Sequence, residues 1–303
     1  MRSYAQNFED VRLARVFTDV VAGFYIDVGA AHPTSDSVTR HFYEAGWHGV
    51  NVEPNAPLFA ELRRERPRDI NIEAACSSSN GVAVLHETDA LDGWATLSSD
   101  TAAVIEGQRG RAVHAREVRT VTLASICAEH VAGPIDFLKV DAEAHEAEVL
   151  RGADFTRWRP RVVVVEATWP HSPVASHGEW EPLLLGNGYR LVLFDGINRF
   201  YVADEHRELA GRLAEPVSVF DDWELDRYLA RIEALEARAE ERDAALESLV
   251  MERDQARRAA AHWEREHARR VAESLRMPAG MVRALRSAAS RGRAAAATRR
   301  RAD

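Results

Sequence analysis

The sequence predicts an α/β fold: a mostly parallel sheet with an antiparallel hairpin at its edge, followed by a long C-terminal helix. Three observations carry the prediction. Short β-rich runs alternate with helical patterns over the first two-thirds of the chain, the order that builds parallel strands joined by crossover helices. The run Arg161-Val162-Val163-Val164-Val165-Glu166 is nearly all β-branched, as in strands covered on both faces. After Phe220 the apolar spacing changes to an alternation of three and four residues.

Taken in order, residues 24–28 read as a buried strand ending at Gly29, and residues 35–45 as an amphipathic helix. Residues 49–53 form a second strand, 56–66 a helix and 70–75 a third strand. Residues 82–86 suit one strand of a hairpin insertion. Residues 135–140 are a strand, 143–150 a helix and 161–166 a strand of the kind found inside parallel sheets. Residues 190–194 and 200–202 flank the turn Asp195-Gly196-Ile197-Asn198, a terminal hairpin. The domain is expected to span 1–220, a coiled coil 221–275 and a basic tail 276–303.

The coiled-coil reading rests on Leu225, Tyr228, Ile232, Leu235, Ala239, Leu246, Leu249, Ala256, Ala260 and Trp263, with Arg242 and Arg253 as polar breaks. It implies self-association; the alternative is a single solvated helix held by Glu–Arg pairs. The tail, expected to be disordered or helical only on a surface, carries eight Arg and one Asp. That is +7 in a chain of −9, so the remainder carries −16. An acidic body of this kind argues against a protein built to bind nucleic acid. The basic tail suggests an anionic membrane surface or an acidic partner. With 46% apolar residues the chain has material for a real core. Cys76 and Cys127 belong to no paired motif and read as buried thiols of a reducing compartment. The charged N-terminus has no signal-peptide core, and no apolar run approaches the roughly 20 residues that span a bilayer. The expected location is cytoplasmic, peripheral at the inner face of the membrane if the tail binds lipid.

Three segments carry candidate chemistry. In Asp27-Val28-Gly29-Ala30-Ala31-His32 a strand ends at a glycine that permits a tight turn and close approach of a ligand to the backbone. Glu53-Pro54 ends the next strand, where an acidic side chain can accept hydrogen bonds from ribose hydroxyls. Asp27, Gly29, Ala30, Glu53 and Pro54 are therefore the candidate nucleoside-binding residues. No G-x-G-x-x-G is present, which counts against a nicotinamide-dependent reductase or epimerase. The third segment, Lys139-Val140-Asp141-Ala142-Glu143-Ala144-His145-Glu146, leaves a strand at the ligand-binding edge of the sheet. Asp141 could orient an acceptor, and His145 could take its proton near neutral pH. Glu143 is a third catalytic candidate, though for Glu143, Glu146 and Glu148 a favourable charge at a helix start is the plainer role. The Asp, Glu and His cluster could also hold a divalent cation, although its spacing matches no recognised metal motif.

At these residues the sequence resembles the FkbM family of methyltransferases. The resemblance runs through Ser3-Tyr4-Ala5-Gln6-Asn7-Phe8-Glu9-Asp10, Tyr25 to Pro33, Gly46 to Pro54, Arg66 to Asn71, Ile135 to Leu150 and Val165 to Thr168. It implies a Rossmann-like class I methyltransferase fold and S-adenosylmethionine as cofactor. It also implies transfer to a hydroxyl of a sugar or other natural-product alcohol, often in bacterial surface-glycan synthesis. One departure stands out: the family reads D-x-E-G-x-E where this chain has Ala144. If that position has φ > 0, alanine costs on the order of 1–2 kcal/mol there. The competing expectation is a non-catalytic assembly protein that carries a degenerate domain on a coiled coil.

Overall fold

The computed structural model describes residues 1–88, 94–109, 112–170, 172–275 and 278–299. The chain divides into two units, Met1–Ala230 and Arg231–Asp303.

The first unit opens with β1 (Arg2–Ser3) and α1 (Glu9–Val16). Then β2 (Phe24–Val28), α2 (Arg40–Glu44), β3 (His48–Val52), α3 (Ala56–Glu65) and β4 (Ile70–Ile72) alternate. An insertion follows, made of β5 (Ala75–Cys76), β6 (Gly81–Thr88), β7 (Ala95–Thr96), α4 (Ser99–Arg109) and β8 (Val113–Val121). Alternation resumes with α5 (Leu123–His130), β9 (Phe137–Val140), α6 (Glu146–Arg151), β10 (Val162–Glu166) and α7 (Glu181–Gly186). The strands β11 (Tyr189–Phe194) and β12 (Asn198–Ala203), helix α8 (Ala210–Ala214) and β13 (Glu224–Leu225) complete it.

The main sheet has the order β11-β12-β10-β9-β2-β3-β4. Strands β10, β9, β2, β3 and β4 pair in parallel, and β12 runs antiparallel to both β10 and β11. The expected antiparallel hairpin at the edge is β11–β12; within it the reversed strand is β12, one place in, and the outermost strand β11 runs with the others. Side chains alternate across the sheet as strand geometry requires. Ile26, Val28, Leu138, Val140, Val163 and Val165 pack on one face against α5, α6 and α7 residues such as Ile126, Val149 and Leu184. Tyr25, Phe137, Val162 and Val164 pack on the other against Leu13, Val16, Phe42 and Trp47.

Local backbone conformation explains where the elements depart from expectation. The helix expected from residue 35 begins only at Arg40, because Asp36 takes φ 56 and bridges to Ala5. The third strand splits: β4 stays in the main sheet, while β5 joins a second sheet of order β5-β8-β6-β7. The strand expected at 82–86 lies inside β6, which pairs along its whole length with β8.

The domain boundary also moves. Beyond residue 220, β13 pairs in parallel with β1, Leu225 is buried, and the Trp223 ring lies 4.6 Å from that of Phe8. Arg15 holds Asp221 at 2.6 Å, and Arg2 holds Asp226 at 2.6 Å. These contacts assign residues 221–230 to the first unit. Helix α9 (Asp226–Ser274) has no buried residue, and helix α10 (Ala279–Arg299) lies within the basic tail. Tail residues 276, 277 and 300–303 lie outside the described residues. Among the described residues no helix is long and apolar enough to cross a membrane.

Candidate active site

The C-terminal ends of β2, β3, β9 and β10 open into one cleft of about 800 Å³. Two turns form its floor. Gly29, at φ +72, ends β2, and a Cβ there would lie 1.8 Å from the Asp141 carbonyl oxygen at the end of β9. Both the dihedral and the contact therefore demand glycine. The Gly29 and Ala30 amides donate to the Val52 carbonyl at 3.0 and 3.2 Å, and the Asp141 amide to Val28 at 3.1 Å. These bonds lock the turns to neighbouring strands.

Glu53 stands where expected, lining the cleft beside Ala30 and Pro54. Its Oε2 accepts the Ala31 amide at 2.8 Å and its Oε1 the Asn55 amide at 2.7 Å. Burial nevertheless pushes the carboxyl up to about 7. Ala74, Ala75, Cys76, Leu85 and Leu97 give the same end of the cleft an apolar wall. An acidic acceptor beside such a wall suits a ribose carrying a planar base.

Asp27 is placed differently from the expectation that it holds a donor. It shares a sheet face with Tyr25 and Lys139, lies two residues before the Gly29 turn, does not line the cleft and is 1% exposed. The Thr39 hydroxyl donates to its Oδ2 at 2.9 Å, and the Lys139 ammonium lies 3.3 Å from its Oδ1. Lys139 is the residue that the sequence reading passed over. Its Nζ donates to the Gly29 carbonyl at 2.8 Å and lies 3.4 Å from Asp141 Oδ2. The two carboxylates hold its pKa above the usual lysine value despite burial. A lone lysine inside the apolar strand Phe137–Val140 was the available signal, since a buried ammonium requires partners.

Asp141, Glu143 and His145 also line the cleft. The helix expected from Glu143 starts only at Glu146, because Glu143 and Ala144 take φ 50 and φ 71. The Thr96 hydroxyl donates to the Glu143 carbonyl at 2.6 Å, and Glu146 accepts the Ala142 amide at 2.9 Å. His145 Nε2 lies 3.1 Å from the Ser77 hydroxyl, and burial lowers its pKa, so the ring is neutral at pH 7. Glu166, at the end of β10, also lines the cleft. Its position was readable by the same strand-end argument that singled out Glu53. Carboxyl oxygens of Asp141, Glu146 and Glu166 lie within 4.8 Å of one another, close enough to hold a metal ion. Burial, then the charges of Asp141, Glu143 and Glu146, push Glu166 up to about 11, so it is protonated at neutral pH. Burial pushes Glu146 up to about 7.

The rim is held by the N-terminal motif. Asp10 accepts the Ser3 hydroxyl at 2.8 Å and the Tyr4 amide at 2.7 Å. Glu9 Oε1 accepts the Asn198 amide group at 2.6 Å, and Asn7 Nδ2 donates to the Asp195 carbonyl at 3.1 Å. This docks the segment on the β11–β12 hairpin and sets Gln6 beside Gly196 and Ile197 at the cleft.

Two predictions follow from this geometry. Ala144→Gly removes a left-handed alanine and should stabilise the fold by about 1 kcal/mol, raising Tm by roughly 2–4 °C. A lower Tm in calorimetry would refute the strain. The second concerns pH. Glu53, Glu146 and Glu166 bind protons more tightly folded than unfolded, so stability is lost as pH rises from about 4.5 through their folded values. Tm should fall between about pH 5 and 8.5, and Glu166→Gln should flatten the fall and raise Tm at the alkaline end. An unchanged slope in that variant would show that Glu166 is not a protonated partner.

Among known proteins, no curated sequence matches the chain. Among solved structures, the fibrillarin pre-rRNA processing protein of Methanococcus jannaschii aligns with 65% of this chain and 76% of its own. At 12% identity and a TM-score of 0.30, that likeness carries no argument. The family model of the methyltransferase FkbM domain matches residues 27–191, more than half of the chain. The matched span holds Gly29, Glu53, Lys139, Asp141, His145 and Glu166, and the chain belongs to the FkbM methyltransferase family.

Proposed function

We propose that the protein transfers the methyl group of S-adenosylmethionine to a hydroxyl oxygen of a sugar or another natural-product alcohol, such as a surface-glycan or glycolipid precursor. The observation that carries the reading is the joining, in one cleft, of the Gly29–Glu53 end to the Asp141–His145 end. The donor's ribose hydroxyls would bind Glu53, its base would lie on the wall near Cys76 and Leu85, and its methyl group would face the acidic end. With the donor bound, the acceptor oxygen would take the methyl group and the carbon–sulfur bonding pair would remain on sulfur, giving S-adenosylhomocysteine. Holding the two partners in line is the larger part of the catalysis. The hydroxyl proton passes to neutral His145. Ser77 engages Nε2, which leaves Nδ1 to receive it. Asp141 orients the hydroxyl.

The charge of the cleft narrows the acceptor. Its described lining carries five carboxyl groups, Asp36, Glu53, Asp141, Glu143 and Glu166, of which Glu166 is protonated at neutral pH, against the one lysine Lys139. Lys139 is already committed to Asp27 and Asp141. Such a wall supports an uncharged or amine-bearing acceptor over a phosphorylated one, because like charges repel strongly where water is excluded.

Calorimetry should show S-adenosylmethionine binding, and Glu53→Ala should weaken it by about 1–3 kcal/mol through the lost acceptor. His145→Ala should keep that affinity and lose turnover by about 100- to 10,000-fold on a sugar-alcohol substrate. Unchanged donor affinity in the first variant would overturn the ribose site. Near-normal turnover in the second would overturn the base.

A further inference from the structure

Helix α9 carries a continuous seam whose apolar side chains are exposed among the described residues. Leu225, the first residue of the pattern, is buried in the first unit, so the free seam starts at Tyr228. Tyr228, Ile232, Leu235, Leu246, Leu249 and Trp263 are each 47–65% exposed. From Tyr228 to Trp263 the spacing alternates four and three without a skip, so every seam residue falls on the a or d position of an unbroken heptad series. Ile232, Ala239, Leu246, Arg253 and Ala260 are a residues. Tyr228, Leu235, Arg242, Leu249, Ala256 and Trp263 are d residues.

We infer that this face is covered by a second copy of the same helix, lying parallel and in register. The charges beside the seam select that occupant. In a parallel pair, each g residue faces the e residue of the next heptad on the partner. Along α9 those pairs are Arg231 with Glu236, Arg238 with Asp243 and Glu252 with Arg257, each repeated by symmetry. All are opposite in sign, and the remaining pairs contain at least one uncharged residue. Ala245 faces Val250 and widens the apolar strip at its middle, beside Leu246 and Leu249.

The two arginines in the seam fit the same arrangement. A d knob inserts beside the partner's following e residue, and an a knob beside the partner's preceding g residue. Arg242 therefore meets the partner copy's Asp243, and Arg253 the partner copy's Glu252. Within one copy these arginines touch only the exposed side chains of Asp243 and Asp254, at 3.4 and 2.9 Å. Such contacts are free to exchange on pairing. An antiparallel pair aligned on Leu246 and Leu249 keeps fewer of these matches, leaving Arg238 opposite Ala259 and Asp243 opposite Val250. The arginine layers and alanines make the seam modest in strength, so charge sets the partner and its direction more than apolar area does.

The test uses the full chain. Sedimentation should show a dimer. Leu235→Cys should form a disulfide-linked dimer under oxidation, because in register the two copies of residue 235 adjoin. Wild type should not, since Cys76 and Cys127 are buried. Arg231→Glu with Arg238→Glu should weaken self-association at least tenfold. Mixing that variant with Glu236→Arg/Asp243→Arg should restore pairing as a heterodimer. A monomer at tens of micromolar, a trimer or tetramer, a dimer that Leu235→Cys fails to link, or a mixture that stays unpaired would each overturn the inference.

Discussion

The site depends on one buried ammonium. Lys139 sits in the central strand of the sheet and reaches Asp27 on the adjacent strand, the Gly29 carbonyl in the first turn and Asp141 in the second. Taking a lysine and an aspartate out of water costs several kcal/mol each, which only close pairing and further hydrogen bonds offset. Here the offset comes from groups in both turns, so the lysine is satisfied only while the turns keep their spacing. Gly29 adds the steric half of the constraint, since any side chain there would collide with the Asp141 carbonyl. The same contact that brings the Gly29 turn against the Asp141 turn therefore also holds the sheet edge together.

The acidic end of the cleft follows from that arrangement. Lys139 is the cation among three carboxyl groups that converge beyond it, and it is shared with Asp27. Glu166 is left with a buried Oε2 that no donor satisfies, and holding a proton is its way of lowering the charge. The left-handed Glu143 and Ala144 keep the chain from entering its helix until Glu146, which leaves Asp141 and His145 on the cleft wall. Strain and crowded charge are concentrated where a reacting methyl group would sit, and the remainder of the domain is ordinary sheet and helix packing.

What could be read from the sequence and what could not have physical causes. Glu53 and Asp141 were legible because an acidic residue that ends an apolar run lies at the ligand-binding edge of a parallel sheet. Asp27 met the same pattern but lies inside the paired length of β2, two residues before the Gly29 turn, where Thr39 and Lys139 hold it. How far a strand stays paired is set by its neighbours, which one strand's composition does not give. The role of Lys139 was hidden because its partners come from other strands and turns. The reach of the first domain to residue 230 was hidden likewise, since β13 is two residues long and its partner β1 is at the opposite end of the chain. The insertion from β5 to β8 was only partly legible, since only Val118, Thr120 and Val121 of β8 are buried and the strand lacks a clean alternation. The glycine-to-alanine departure at position 144 was visible, and the φ of 71 shows why it bears on the loop.

The central claim is that Lys139 ties the two turns into one binding surface. The most direct measurement is Lys139→Met, which keeps the length and apolar stem but removes the charge. Thermal unfolding should show a loss of about 3–5 kcal/mol, the cost of leaving a buried carboxylate unpaired. A titration with S-adenosylmethionine at a temperature where the variant remains folded should show affinity lost together with stability. A variant that melts and binds like wild type would contradict the account and reduce Lys139 to a bystander in the strand.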